Sequence, residues 1–193
     1  KLGSLVGQLA SDDLDNIAIE VEGAAAELNI KPITGAVLSG FMRRYSDTVN
    51  MVNAPYLAKE RGLDVREVRH ATEGNYHTLV RVSVNTSQGA RSVAGTLFGN
   101  ASPRLVEIFG IGVEAELDGH MLYIVNEDAP GFIGRVGTTL GTAGINIGTF
   151  NLGRRNAGGE AVLLLSIDSA IPQDVLDALG KLPGVKRVKA LKF

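Results

Sequence analysis

The sequence has 193 residues, none of them cysteine or tryptophan, and only 5% are aromatic. Without cysteine there is no disulfide, thiolate metal site, cysteine nucleophile or cysteine-bound iron–sulfur cluster. The lack of disulfides is typical of the cytoplasm, which is the localisation we expect. Because aromatic residues are so few, the cores must be aliphatic, and the runs LVRVSV and AVLLLSI are the clearest source of such side chains.

Strong charge and long apolar runs are also missing. The formal net charge is −2, far from the basic excess of nucleic-acid-binding proteins, so we expect no nucleic-acid partner. No apolar run reaches the roughly 18 residues that span a bilayer, and no signal peptide opens the sequence, so we expect no membrane association. The first residue is Lys1 rather than methionine, which favours a piece of a longer chain.

Patterns that carry catalysis are absent from the sequence. The three histidines, His70, His77 and His120, lack the spacing of a metal-binding pair, and no G-x-S-x-G motif occurs. Residues 110–115 fit G-x-G-x-x-A, but too few residues follow before the Asp-Gly at 118–119 for the crossover helix of a dinucleotide site. We interpret these glycines as a β-turn, and predict no catalytic residue, no metal and no cofactor in this chain.

The spacing of apolar residues predicts an α/β domain with a mainly antiparallel sheet over residues 1–118. An opening helix is followed by a polar turn, SDDLDN, and two further helices begin near Pro32 and Asn53. A hairpin turn is predicted at 87–89. The predicted strands are 16–23, with Ile17, Ile19 and Val21 on one face, and then 66–72, 76–86, 90–99, 104–110 and 113–117.

Residues 119–193 form the second predicted domain. Strands alternate with helices in the order βαββαβ, which is the ferredoxin-like arrangement. The predicted strands are 121–128, 145–153, 159–168 and the closing PGVKRVKALKF, and the helices are 132–144 and 171–182. The expected fold class of the whole chain is therefore α+β.

A polar cluster ends the first strand of this second domain. Asn126 and Asp128 are two residues apart and project from the same face, before Pro-Gly at 130–131 opens a helix with unpaired amides. Such a helix start attracts a carboxylate, and Asp128 suits an ammonium, so an amino acid fits both. Asn146 brings a second amide that both donates and accepts. The alternative is that Asp128 and Asn146 only cap the helix and the turn.

The helix over 132–144 is rich in glycine. Gly134, Gly137, Gly141 and Gly144 share one side of it. Each glycine weakens a helix by about 1 kcal/mol relative to alanine. We therefore expect close backbone approach at this side.

The stretch MLYIVNEDAPGFIGRVGTTLGTAGINIG resembles an ACT domain, an amino-acid-sensing module of metabolic enzymes. With the later LGR, GGEAVLLLSID and LPGV it is similar to the C-terminal domain of bacterial D-3-phosphoglycerate dehydrogenases. The preceding part, most clearly VAGTLFG and PRLVEIFG, resembles the intervening domain of the longer form of these enzymes. The resemblance covers essentially the whole chain.

The resemblance implies the regulatory part of an enzyme that oxidises 3-phosphoglycerate with NAD, in the first step of L-serine synthesis. The parent's NAD-binding and catalytic residues have no counterpart here. It implies that L-serine binds between ACT domains of neighbouring subunits, in a homodimer or homotetramer formed through the ACT and intervening domains. The implied serine-binding residues are Asn126, Asp128, Gly131 and Asn146. An anion site is implied at Arg104, but a second basic position falls near Ile111 and is lost.

Two alternatives stay open. One is the regulatory module of an iron–sulfur L-serine dehydratase, against which the absence of cysteine and the direct adjacency of the two domains argue. The other is an oligomerisation module that binds no ligand.

Overall fold

The computed structural model describes residues 1–10, 14–72, 74–86, 89–99 and 101–193, which form two compact units, Lys1–Phe109 and Gly110–Phe193. The division falls at a tight turn in which Phe109 and Gly110 both have positive φ, 52° and 76°. The predicted domain boundary after residue 118 lies slightly further along the chain and stays a prediction.

The first unit contains a five-stranded sheet and, among its described residues, three α-helices. The order of the strands is β2-β1-β3-β4-β5, with β1 and β2 parallel and the other neighbours antiparallel. This confirms the predicted mainly antiparallel sheet. The predicted turns at 11–16 and 87–89 lie partly outside the described residues. The elements are α1 (Leu2–Leu9), β1 (Asn16–Gly23), a 3-10 helix (Ala24–Glu27), α2 (Ile30–Met42), α3 (Ala54–Glu60), β2 (Asp64–His70), β3 (Thr78–Thr86), β4 (Gly89–Phe98) and β5 (Ser102–Ile108).

Glycines let the first two helices approach closely. A Cβ added at Gly3 would overlap the Val37 carbonyl oxygen, and one at Gly40 would lie 2.8 Å from the Ser4 nitrogen. Helix α2 begins two residues before Pro32, because the Asn29 side chain accepts a hydrogen bond from the Lys31 amide and caps it. The two helices therefore pack backbone against backbone.

Strand β1 forms the centre of the first unit's core. Ile17, Ile19 and Val21 alternate along it and are fully buried, as predicted. Helix α2 is joined to the neighbouring strand β2 by polar contacts, since the Thr34 hydroxyl donates to Glu67 Oε1 at 2.6 Å and Lys31 Nζ lies 2.9 Å from Glu67 Oε2.

The second unit has the predicted ferredoxin-like arrangement. Its sheet order is β10-β7-β9-β8 and every neighbouring pair is antiparallel, so β7 and β8 run parallel with β9 between them. The predicted α+β class is confirmed. The elements are β6 (Ile111–Ala115), β7 (His120–Glu127), α4 (Phe132–Thr142), β8 (Ile147–Arg154), β9 (Glu160–Ile167), α5 (Gln173–Gly180) and β10 (Val185–Lys192).

The G-x-G-x-x-A segment carries no dinucleotide-binding geometry. Gly110 lies in the turn and Gly112 inside strand β6, and no helix forms between them and β7. A dinucleotide site needs a helix whose amino end meets the pyrophosphate, so the residues present do not fit one. Strand β6 packs on β8 instead, where a Cβ at Gly153 would overlap the Gly112 carbonyl oxygen.

The core between the second sheet and its helices is almost entirely aliphatic, as predicted. Phe132 is the aromatic member of this cluster. The other buried members are Leu122, Ile124, Val136, Leu140, Ile145, Leu163, Leu165, Ile167, Val175 and Leu179. In the part of the chain that the structure describes, no helix combines the length and the apolar character needed to cross a membrane.

Candidate functional site

The sequence-predicted polar cluster lies at one end of the second unit's sheet, where β7 ends, α4 begins and the β8–β9 hairpin turns. The register aligns Asn126 in β7 with Ala161 in β9, and Ala161 with Arg154 in β8. An open depression of about 590 Å³ lies here. It is lined by residues 128–134, Arg154 and Gly158.

Asp128 is fixed by donors from the hairpin. Its Oδ2 accepts hydrogen bonds from Arg154 Nη1 at 2.8 Å and from the Gly158 amide at 3.2 Å, and its own amide donates to the Gly159 carbonyl at 2.8 Å. The Arg154 hydrogen bond, followed by that from Gly158, holds the pKa of Asp128 below its ordinary value. Within the described residues Oδ1 accepts no hydrogen bond, so this oxygen is open to a cation.

The start of α4 offers unpaired backbone donors. Gly131 precedes the helix in the left-handed conformation, with φ of 79°, and no side chain caps it. The amides of Phe132 and Arg135 donate to the carbonyls of Ala129 and Gly131. The amides of Ile133 and Gly134 donate no hydrogen bond within the described chain, and both residues line the depression. Asp128 therefore does not cap this helix, and the amides are available to a carboxylate.

Asn126 is buried beneath this end of the sheet, with 1% of its surface exposed. Its Nδ2 donates to the Glu127 carbonyl at 2.7 Å, while its Oδ1 is buried and has no hydrogen-bond partner among the described residues. An unpaired buried acceptor costs about 1–3 kcal/mol, which a ligand or water donor would recover.

Asn146 is not brought to this cluster. It precedes β8, and Ile147 is aligned with Ile167 and through it with His120, at the opposite end of the sheet from Asp128. Its Nδ2 donates to Asp168 Oδ2 at 2.8 Å. Eight-residue strands rise roughly 3.3 Å per residue, so the two ends are roughly 25 Å apart. One ligand cannot touch Asp128 and Asn146 of the same chain.

The glycine-rich side of α4 is open within this chain. A Cβ added at Gly134, Gly137 or Gly141 would meet no atom within 4 Å. The expected close backbone approach is therefore wrong for contacts inside the chain, because nothing in the second unit packs on this side of the helix.

The implied anion site at Arg104 stays a prediction. Arg104 lies in β5 opposite Thr96, and its Nη1 donates to the Pro103 carbonyl at 3.0 Å. Ile111, at the second implied basic position, is a buried apolar residue of β6. The described residues contain no cluster of three or more potential metal ligands among their histidines and acidic groups.

Sequence reasoning assigned no role to Arg154, although its LGR motif was among the residues of the resemblance. The only local signal was a basic residue at the end of a predicted strand. Its pairing with Asp128 depends on the register of strands that are distant in sequence.

Two regions of the chain match known domain families. Residues 1–109 match the family described as D-3-phosphoglycerate dehydrogenase intervening domain, and residues 120–184 match the ACT domain.

Relatives of known name match the chain along almost its whole length. Among them are D-3-phosphoglycerate dehydrogenases of Bacillus subtilis, which is 38% identical over 99% of this chain, and of Synechocystis sp. and Methanocaldococcus jannaschii, each 31% identical over 100% of it. The chain covers 37%, 35% and 36% of these three proteins, respectively, so it spans just over a third of their length. The chain therefore belongs to the D-3-phosphoglycerate dehydrogenase intervening-domain family and carries an ACT domain after that part.

Proposed function

We propose that this chain is the regulatory part of a D-3-phosphoglycerate dehydrogenase and that its ACT domain binds L-serine as a feedback inhibitor. The supporting observation is the depression at the start of α4, which is lined by Asp128, Ile133 and Gly134. In the described chain the Oδ1 of Asp128 accepts no hydrogen bond and the amides of Ile133 and Gly134 donate none. The carboxylate of an amino acid suits the amides, and its ammonium suits Asp128. Serine is the end product of the pathway that the parent enzyme would begin.

The complete site would lie between two copies of the chain. Asp128 and Asn146 belong to opposite ends of one sheet, so a ligand that contacts both must take them from different chains. In a dimer with a two-fold axis, the Asp128 end of each copy would lie beside the Asn146 end of the other copy. This arrangement would create two equivalent sites. The proposed assembly is a homodimer or a homotetramer.

Serine would act on the parent enzyme by a shift of population. The residues that bind NAD and oxidise 3-phosphoglycerate would lie in a part of the parent outside this chain, and we place the whole enzyme in the cytoplasm. A ligand at an interface favours the arrangement of subunits that binds it more tightly, and its effect is limited by that difference in affinity.

Calorimetric titration of the 193-residue chain with L-serine tests this proposal. We expect saturable heat with the unchanged chain, and its loss in Asp128→Ala. Asp177→Ala is the matched control, because Asp177 is an exposed aspartate of α5 in the same unit, bonded to Gln173. A folded chain that gives no heat with millimolar serine would contradict the proposal.

An oligomerisation module without a ligand is the second candidate. Ile133 on α4 and Phe150 and Leu152 on β8 are large apolar side chains that remain exposed, by 49%, 36% and 40%. Such exposure favours self-association. Sedimentation that shows a dimer in the absence of serine, together with no calorimetric response to serine, would favour this candidate. No structural observation favours the regulatory module of an L-serine dehydratase, and the matching relatives are D-3-phosphoglycerate dehydrogenases.

A further inference from the structure

We propose that Arg154 determines the specificity of this site: together with the amides at the start of α4 its guanidinium binds the carboxylate of an α-amino acid, and its ion pair with Asp128 excludes amines that lack a carboxylate. The inference rests on the proposed binding of an amino acid. Neither the family resemblance nor the sequence pattern gave Arg154 a role.

The first argument is the arrangement of unused hydrogen-bonding groups. Both donors to Asp128 converge on Oδ2, which leaves Oδ1 open. Arg154 uses Nη1 for this contact and its side chain is 56% exposed. A guanidinium has five N–H donors, and in the described chain the others of Arg154 have no partner. The Oδ1 acceptor of Asp128 and the remaining N–H donors of Arg154 are therefore both unused, and both residues line the depression.

The second argument is the spacing of the two charges. The ammonium and carboxylate of an α-amino acid are attached to one carbon atom, so their protein partners must be neighbours. Arg154 Nη1 and Asp128 Oδ2 are 2.8 Å apart. The planar guanidinium also matches a carboxylate with two parallel hydrogen bonds, which a single amide cannot provide.

The third argument is electrostatic. Because Arg154 already neutralises Asp128, an approaching amine meets a pair with no net charge and gains little attraction. A simple anion meets the same neutral pair. A zwitterion gains on both sides, since each of its charges faces the opposite charge of the pair. The pair thus selects amino acids over their decarboxylated or reduced analogues.

The test compares L-serine with serinol, in which a CH₂OH group replaces the carboxylate. Both are titrated calorimetrically into the full 193-residue chain. The unchanged chain is expected to bind L-serine and not serinol. In Arg154→Gln, L-serine should bind at least about tenfold more weakly, because a charge-assisted hydrogen bond is lost, while serinol should bind measurably, because Asp128 is no longer neutralised.

Two further variants complete the experiment. Arg155→Gln is the matched control: its guanidinium lies by Gly110, 3.5 Å from where a Cβ would stand there, and it should change neither affinity. Arg154→Lys keeps the positive charge without the planar fork, so it should weaken serine binding and still exclude serinol. If Arg154→Gln does not fold, Arg154→Lys is the test variant. An unchanged affinity of Arg154→Lys for L-serine overturns the inference.

The outcomes separate the two proposals. If the unchanged chain does not bind L-serine, both are overturned. If it binds L-serine and Arg154→Gln binds it equally well, only the role of Arg154 is overturned. If Arg154→Gln loses serine without gaining serinol, Arg154 merely holds Asp128 in place and the specificity argument is wrong.

Discussion

Arg154 Nη1 lies 2.8 Å from Asp128 Oδ2 and joins the end of β8 to the turn that precedes α4. This hydrogen bond and that of the Gly158 amide lower the pKa of Asp128. A carboxyl whose folded pKa lies below its unfolded value stabilises the fold above the unfolded pKa, and this contribution is lost as the pH falls through the folded pKa.

We therefore expect the stability that the Asp128 pair contributes to decline below about pH 4. In Arg154→Gln the pKa of Asp128 should rise toward its ordinary value. A carboxyl-carbon NMR titration of both proteins measures this directly. Identical midpoints for Asp128 in the two proteins would contradict the ion pair.

The contact between α2 and β2 gives a second prediction. Partial burial raises the pKa of Glu67, but the hydrogen bonds from Thr34 and Lys31 outweigh it, so the pKa lies below its ordinary value. Thr34→Val should raise the pKa of Glu67 and lower the free energy of unfolding by about 1–2 kcal/mol, measured by urea denaturation, because a hydrogen bond to a charged group is lost. The same substitution at the exposed Thr138 of α4 is the control and should have little effect.

Two glycine substitutions inside helices should act in opposite directions. Gly3→Ala places a methyl group on the Val37 carbonyl oxygen, and should destabilise the chain by about 1–3 kcal/mol through overpacking. Gly141→Ala meets no atom within 4 Å, and should stabilise helix α4 by about 0.5–1 kcal/mol. Thermal denaturation of both variants checks this. Equal changes in the stability of Gly3→Ala and Gly141→Ala would show that the backbones of α1 and α2 are not in close contact at Gly3.

Asn126 provides a prediction that separates binding from stability. Asn126→Ala removes a buried oxygen that has no hydrogen-bond partner among the described residues. This gain offsets the small cavity and the lost hydrogen bond to the Glu127 carbonyl, so the free energy of unfolding should change by less than about 1 kcal/mol. L-Serine affinity should fall by about tenfold, because the variant cannot accept a hydrogen bond from a ligand. Asn85→Ala, at an exposed position of β3, is the control for both measurements. Unchanged affinity in Asn126→Ala would exclude Asn126 from the site.

The elements of the fold were predictable because their signals are local. Alternation of Ile17, Ile19 and Val21 marks β1, whose bounds of Asn16 and Gly23 match the prediction. The positions of Asn126 and Asp128 at one end of β7 were also predictable, since a strand end and a Pro-Gly turn stand next to each other in sequence.

The remaining features of the site depend on contacts that are distant in sequence. The pairing of Arg154 with Asp128 requires β8 to lie one strand away from β7, with β9 between them. The separation of Asn146 from Asp128 follows from the same parallel course of β7 and β8. That strand order is part of the predicted ferredoxin-like arrangement, so the separation of Asn146 from Asp128 could have been derived from it. No pattern in the sequence gives the register that sets Arg154 beside Asp128.

The parallel course of β7 and β8 also has a genetic consequence. Suppose that each serine site takes Asp128 from one chain and Asn146 from another. A protein made only of Asp128→Ala chains, or only of Asn146→Ala chains, then has no complete serine site. In a hybrid dimer the first supplies an intact Asn146 and the second an intact Asp128, so one whole site is restored. Random pairing of equal amounts should recover about one quarter of the sites of the unchanged protein. Two alleles whose products each fail to bind L-serine would then complement each other.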